Sequence, residues 1–158
     1  MSDYKSTGVL KKEDLQLPDD ERLEEGPVVI MECVENIPCD PCVAACSFDA
    51  VEMEEITDTP DVDFNKCTGC AFCVTECPGL AIFVVDCSYS DEMCKVTIPY
   101  EYLPVPEEGD EVKALDRTGE EVQKAEVTKV RSSGKTYGVT IEVDRENVWD
   151  VRGFEVIE

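Results

Sequence analysis

Ten cysteines in 158 residues are the part of this sequence with the greatest capacity for chemistry. Four of them, followed by a proline, have the spacing C-x2-C-x2-C-x3-C-P, and these are Cys67, Cys70, Cys73, Cys77 and Pro78. Thiolates are soft ligands that select zinc, copper(I) or iron–sulfur clusters. The sequence has no histidine, so histidine catalysis and imidazole ligation are excluded. Any metal must therefore be held mainly by thiolates.

The spacing of this motif suits an iron–sulfur cube. Three thiolates two residues apart must curl around one face of the cube, which requires a tight loop. Gly69 relaxes the backbone there and exposes amides that can donate to cluster sulfur. Cys77 lies about one helical turn further on and points away from the loop, so it reaches a second cluster. Zinc is the alternative, but structural zinc sites use two separated C-x2-C pairs, so the overlapping spacing favours iron–sulfur.

Part of the motif is repeated earlier in the chain. Cys39, Cys42 and Cys46 recur, each displaced by 31 positions, as Cys70, Cys73 and Cys77. The displacement continues beyond the cysteines, because Ala50-Val51 matches Ala81-Ile82. Ligands and apolar positions that move together indicate the duplication of one unit.

The first copy departs from the pattern at its ends. A shift of 31 from Cys67 leads to Asn36, and the nearest thiol is Cys33. We interpret this as a loop three residues longer, with Pro38 shaping the return to Cys39. Ser47 stands where the second copy has a proline.

Each unit is predicted to be strand–loop–helix–strand. The predicted strands are Val28–Cys33 and Ala50–Met53 in the first unit, and Val62–Phe64 and Leu80–Val85 in the second. The helical turns are Val43–Cys46 and Val74–Cys77, and Pro78 and Gly79 end the second one.

Residues 96–158 carry no ligand motif and are predicted to be all β. The predicted strands are Val96–Pro99, Glu111–Leu115, Val122–Val130, Tyr137–Val143 and Val148–Val156, separated by turn signals. We expect a small barrel or sandwich with Trp149 and Phe154 in or near its core. The expected fold class is thus α+β: an acidic arm (1–26), a domain that contains the repeated cysteine motif (27–95) and a small all-β module (96–158).

The charge limits the possible partners. The chain has 14 basic and 37 acidic residues and a formal charge of −23. Such a polyanion is repelled by phosphates, so nucleic acid and anionic membranes are not expected partners, and a partner should present a basic patch. There is no secretory signal and no apolar run of roughly 18 residues, so we expect a cytoplasmic protein with reduced cysteines. The arm is too polar to fold alone and is expected to be disordered or to lie on a partner.

The region 27–86 resembles a bacterial 2[4Fe-4S] ferredoxin. The resemblance implies two [4Fe-4S] clusters and a compact α+β ferredoxin unit. By motif position, one cluster would be held by Cys33, Cys39, Cys42 and Cys77, and the other by Cys67, Cys70, Cys73 and Cys46. Cys87 and Cys94 lie outside both motifs and are expected to be ordinary, partly buried thiols, the alternative being that one of them replaces Cys33 as a ligand.

No catalytic site is expected in the chain itself. Its glycines are scattered and form no dinucleotide fingerprint, and Glu54-Glu55 is expected to be solvated surface. A cluster with four cysteine ligands also lacks the open iron that catalysis needs. The expected function is a one-electron relay in a larger oxidoreductase. The alternatives are a free, diffusible, low-potential ferredoxin and a structural or regulatory cluster protein.

A narrower resemblance covers at most residues 33–106. The stretch Cys33–Cys46, with Leu80–Val85 and Tyr100–Pro106, resembles the small ferredoxin-type subunits of flavin-dependent amino-acid and amine dehydrogenases. It implies that electrons come from a flavin on a partner subunit. The substrate does not follow from it.

Overall fold

The computed structural model describes residues 4–34, 38–134 and 136–157. Its strands are β1 (Val28–Met31), β2 (Val51–Glu52), β3 (Asp61–Val62), β4 (Ile82–Asp86), β5 (Met93–Tyr100), β6 (Glu111–Leu115), β7 (Glu121–Ser133), β8 (Thr136–Asp144) and β9 (Gly153–Val156). Its α-helices are α1 (Tyr4–Thr7), α2 (Asp20–Glu25), α3 (Pro41–Ala45) and α4 (Phe72–Glu76). Two 3-10 turns cover Lys12–Asp14 and Arg145–Asn147. The described chain is therefore mostly strands with a few short helices.

Seven strands form one antiparallel sheet in the order β1-β4-β5-β8-β7-β6-β9, and β2 pairs with β3 separately. The β4–β5 ladder, from Val84↔Thr97 to Asp86↔Lys95, joins the cysteine-rich segment to the C-terminal strands. The boundary expected between residues 95 and 96 falls inside β5. The C-terminal strands, expected to form a separate barrel or sandwich, thus continue the sheet of the cysteine-rich segment.

The β1–β4 ladder is buried on both faces. Val28 and Ile30 face the larger core, which they share with the C-terminal strands. Val29 and Met31 face a second core, which contains Cys42 and Cys73. Successive side chains of a strand point to opposite faces of a sheet, so an uninterrupted apolar run such as Val28–Met31 fits a strand covered on both sides.

The repeat of 31 residues is visible in the backbone. Helix α3 begins at Pro41 and α4 begins at Phe72, 31 positions later. Asp49 and Leu80, also 31 apart, both adopt left-handed conformations, with φ of 54° and 53°. Both helices begin two residues before the starts predicted from sequence, Val43 and Val74.

The C-terminal end differs from the expectation of one strand over Val148–Val156. The 3-10 turn Arg145–Asn147 comes first, and β9 begins only at Gly153. Phe154 is buried and stacks on Tyr100 with ring centroids 4.5 Å apart. Trp149 is only half-buried, at the margin of the core, with the Lys12 ammonium 5.5 Å from its ring centroid.

The N-terminal arm lies on the chain's own body, which corrects the expectation of a disordered tail or an arm on a partner. The Gln16 amide accepts from Val62 N–H at 3.2 Å and donates to Val62 C=O at 2.9 Å, as a neighbouring strand would. Asp19 caps α2 by accepting from Arg22 N–H. Arg22 and Leu23 are buried. Sequence composition missed this because two side chains anchor an otherwise polar segment.

No helix in the described parts of the chain is long and apolar enough to cross a membrane.

Candidate metal centre

Eight cysteines form no disulfide and are grouped around α3 and α4, and these are Cys33, Cys39, Cys42, Cys46, Cys67, Cys70, Cys73 and Cys77. Cys42 and Cys73 lie inside the two helices, and Cys46 and Cys77 are their C-caps. The 31-residue repeat therefore places equivalent thiols at equivalent points of two equivalent helices.

Cys42 lies close to thiols from both ends of the cysteine-rich segment. Burial, together with the charges at Cys77 and Cys33, raises the pKa of its thiol to about 11. Cys77 comes from the second copy of the motif and Cys33 from the first. The structure thus brings together three of the four residues expected to hold one cluster.

Cys73 has a different set of neighbours. Burial, followed by the charges at Cys67, Cys70, Cys46 and Cys42 in that order, raises the pKa of its thiol to about 12. The first three are the partners expected for Cys73. A thiolate is unfavourable in such a buried group unless a metal centre compensates its charge, so these thiols suit a metal centre.

Cys39 is the remaining residue of the two expected ligand sets. Its backbone N–H donates to Ile56 C=O at 3.1 Å, which ties it to the acidic loop after β2. The expected longer loop between Cys33 and Cys39 lies partly outside the described residues, since 35–37 are not described. The assignment of all eight ligands stays a prediction.

Backbone amides donate to two of the sulfurs. Val29 N–H and Gly69 N–H each lie 3.4 Å from Cys67 Sγ, and Ala50 N–H lies 3.4 Å from Cys46 Sγ. Such donors orient thiolate ligands and stabilise a negatively charged cluster. They agree with the sequence argument that Gly69 exposes amides.

Gly69 is also fixed by a close approach of two backbone segments. Its φ is +70°, and a Cβ there would lie 2.5 Å from Pro27 Cβ and 2.6 Å from Pro27 C and O. Only glycine fits this conformation and this contact without a shift. Gly69 therefore holds the Cys67–Cys70 loop against the start of β1.

Two arginines bind the carbonyls of this same loop. Buried Arg22 donates to Cys67 C=O at 2.7 Å, and also to the carbonyls of Phe64, Gly26 and Pro27. Arg131, on β7, donates to Cys70 C=O at 2.8 Å. Its guanidinium lies 4.0 Å from the centroid of the Phe72 ring. Carbonyl groups carry no signature in sequence, so neither contact was predictable.

A buried ion-pair group lies beside Cys33. The Glu32 carboxylate contacts both Arg117 and Arg152. Burial raises the pKa of Glu32, but the hydrogen bonds and charges of the two arginines outweigh it, and the pKa is lowered overall. Burial likewise lowers the pKa of Arg152, and its Nη2 has no hydrogen-bond partner among the described residues. The group anchors the end of β1 to the turns around β6 and β9.

Cys87 and Cys94 form a disulfide, which corrects the expectation of two ordinary, partly buried thiols. Their relative exposures are 1% and 0%. The β4–β5 register places them opposite each other, one pair beyond Asp86↔Lys95. The bond excludes either sulfur as a replacement for Cys33. The hairpin was the missed signal, because both strands and the polar turn between them are readable from the sequence.

No group of three or more His, Cys, Asp or Glu side chains within ranges 4–34, 38–134 and 136–157 is arranged to hold a single metal ion. The four thiolates of a [4Fe-4S] cluster bind four different irons, so their sulfurs do not converge on one point. The donor set fits a cluster: two groups of thiols, with amides directed at the sulfurs.

Comparison with known families gives one match. The family model described as a 4Fe-4S binding domain matches residues 60–83. The matched segment contains the whole run from Cys67 to Cys77 and indicates that this part of the chain binds a [4Fe-4S] cluster of the ferredoxin type. No curated protein and no solved structure matches the chain.

Proposed function

We propose that the chain is a one-electron relay with two [4Fe-4S] clusters, working as a subunit of a larger oxidoreductase that contains a flavin. The first, named here the Cys33 cluster, has the ligands Cys33, Cys39, Cys42 and Cys77. The second, named the Cys67 cluster, has the ligands Cys67, Cys70, Cys73 and Cys46.

The observation that carries the two-cluster proposal is the exchange of thiols between the two helices. Cys42 on α3 and Cys73 on α4 share one buried core, against which the caps Cys46 and Cys77 both pack. The charge of Cys77 raises the pKa of Cys42, and the charge of Cys46 raises the pKa of Cys73. A single cluster on the second motif would leave Cys33, Cys39 and Cys42 without a role. Two clusters use all eight cysteines that lie outside the disulfide.

The relay proposal follows from the ligand chemistry. The clusters supply one-electron redox chemistry when bound. The protein's part is to hold the thiols, donate amides to the sulfurs and keep water away, as the burial of Cys42 and Cys73 supports. Four cysteines on each cluster leave no iron open to a substrate.

The subunit proposal rests on exposed apolar surface. Tyr102 is 71% exposed and Leu103 is 86% exposed, in the segment that follows β5. Phe72, beside the second motif, is 46% exposed. Exposed apolar side chains that lie close together are more typical of an interaction site than of ordinary solvent-exposed surface. The charge of −23 favours a flavoprotein partner, or another redox protein, with a basic docking patch.

Two measurements test the proposal in sequence. Purified without oxygen, the chain should contain about eight irons and eight labile sulfides, whereas about four of each would limit it to one cluster. Affinity purification from the native host should then recover a flavin-containing chain in fixed ratio. The double variant Tyr102→Ser/Leu103→Ser should keep its iron and lose that partner. A brown protein that elutes without any other chain from the native host would identify a free ferredoxin.

A further inference from the structure

The two proposed clusters lie in different electrostatic surroundings. Between Val28 and Asn65 the sequence has ten acidic residues and no basic one, and this stretch contains three proposed ligands of the Cys33 cluster (Cys33, Cys39 and Cys42) but only Cys46 of the Cys67 cluster. Three of the acidic residues, Glu54, Glu55 and Asp58, belong to the loop that accepts the Cys39 amide through Ile56. Negative charge near a cluster disfavours its reduction, since reduction adds a further negative charge.

The Cys67 cluster is approached by cations instead. Arg22 donates to Cys67 C=O and Arg131 donates to Cys70 C=O. Each guanidinium is therefore hydrogen-bonded to the backbone of a residue whose thiolate is a proposed cluster ligand. Among the described residues, neither arginine forms an ion pair. Arg22 is only 7% exposed, so solvent screens its charge weakly.

The arginines beside Cys33 do not balance this difference. Arg117 and Arg152 share the Glu32 carboxylate, and Arg152 also interacts with the charge of Asp150. Two cations and two carboxylates give this group no net charge. Arg152 also lies over Phe83, 5.3 Å from its centroid, on the face of the β1–β4 ladder that is turned away from Cys42 and Cys73.

We infer that Arg22 and Arg131 give the Cys67 cluster the higher reduction potential of the two. The inference rests on the proposed function, because it requires both clusters. An electron that reaches the Cys33 cluster then passes to the Cys67 cluster, one cluster being oxidised and the other reduced by one electron, with no proton transferred. The electron is more stable on the Cys67 cluster, near Phe72 and Arg131, so electron transfer from the Cys33 cluster to the Cys67 cluster is favoured.

The test is a redox titration of the holoprotein, followed by electron paramagnetic resonance, with Arg131→Gln. The wild type should show two one-electron transitions. In the variant the higher transition should move to lower potential while the lower one stays in place. We expect about a tenfold change in the equilibrium between the clusters, or about 59 mV for one electron.

Three further variants separate charge from structure. Arg131→Lys keeps the charge and should therefore retain most of the wild-type potential. If Arg131 acted only through its structural contact, Arg131→Lys would shift the potential as Arg131→Gln does. Lys129→Gln removes an exposed cation from the same strand and should move the transitions less. Asp40→Asn removes an exposed carboxylate, which makes no side-chain cap hydrogen bond, between Cys39 and Cys42, and should raise the lower transition.

The outcomes distinguish this inference from the proposed function. A preparation with about four irons overturns both, because only one cluster is then present. With about eight irons, the inference is overturned if Arg131→Gln moves the lower transition, moves neither, or if the wild type shows a single potential. The two-cluster relay stands in each of those latter cases.

Discussion

Arg117 and Glu32 are 85 positions apart in the sequence and form a two-pronged ion pair, with Nε–Oε1 at 2.8 Å and Nη2–Oε2 at 2.9 Å. Both side chains are largely buried, at 12% and 7% exposure. Arg152 contacts the same carboxylate from the other side of the turn. Since Glu32 directly precedes Cys33, this pair links the C-terminal strands to the first of the proposed ligands of the Cys33 cluster.

Glu32→Gln should destabilise the protein strongly, because it leaves two buried guanidinium groups without their carboxylate. Breaking a buried pair from one side costs about 3–5 kcal/mol. At about 2–4 °C per kcal/mol for a chain of this size, the midpoint of anaerobic thermal unfolding should fall by roughly 6–20 °C. The matched control is Glu24→Gln, whose pair with Arg145 is 30% and 56% exposed. It should cost less than about 1 kcal/mol. Equal shifts in the two variants would contradict the anchoring role of Glu32.

Gly69→Ala should reduce cluster loading. The added Cβ would collide with Pro27 and would impose a left-handed conformation on alanine. We expect loss of the Cys67 cluster, seen as a decrease from about eight irons towards four. Gly79→Ala is the control in the same region, since its φ is outside the left-handed region and the nearest neighbouring atom, Cys77 Sγ, is 4.0 Å from the new Cβ. Full loading of both variants would show that the approach to Pro27 is not required.

Cys94→Ser should lower stability and leave the iron content unchanged. The disulfide closes a loop with a sequence separation of 7, which stabilises the fold by about 2.5 kcal/mol on the loop-entropy account. Cys42→Ser, by contrast, should lose iron. When the unfolded wild-type apoprotein is alkylated without reductant, two cysteines should stay unmodified, and these should be Cys87 and Cys94. A loss of iron in Cys94→Ser would restore the idea that this residue is a cluster ligand.

Removing Arg22 should have a local effect on the second motif. Arg22→Gln loses the bonds to Cys67 C=O, Phe64 C=O and Pro27 C=O, and the carbonyls remain partly buried. Buried polar groups left unsatisfied cost about 1–3 kcal/mol each. We expect slower reconstitution and faster iron release under a chelator, measured by absorbance. A deletion of residues 1–9 keeps Gln16 and Arg22 and should behave as the wild type. If the deletion releases iron as fast as Arg22→Gln, the anchor lies elsewhere in the arm.

The sequence allowed the periodic features of the fold to be predicted. The 31-residue displacement of Cys39, Cys42 and Cys46 correctly implied two equivalent helices, and the apolar runs marked β1, β4, β6, β7 and β8 to within a few residues. Such features depend on local spacing. The ligand groups followed from the spacing together with the ferredoxin resemblance, and they stay predictions.

The features that sequence missed are contacts between distant segments. Arg22 recognises backbone carbonyls 42 and 45 positions away, and no residue type marks a carbonyl for recognition. Glu32 looks like any other acidic residue until Arg117 and Arg152 are placed beside it. The single sheet was missed because the apolar run Val96–Pro99 predicts a strand equally well whether it begins a separate module or pairs with the strand before it.

The β1–β4 ladder is buried on both faces, so the chain cannot be divided there into two independent domains. Val29 and Val84 seal the cysteine side of the ladder, while Val28 and Val85 seal the other. A cut between residues 95 and 96 would expose one apolar face on each fragment, so neither piece would persist as a transplantable module. Chelation of iron should therefore lower the stability of the fold as far away as β9. The half of the chain without cysteine motifs should unfold in the same thermal transition as the half that contains the proposed ligands.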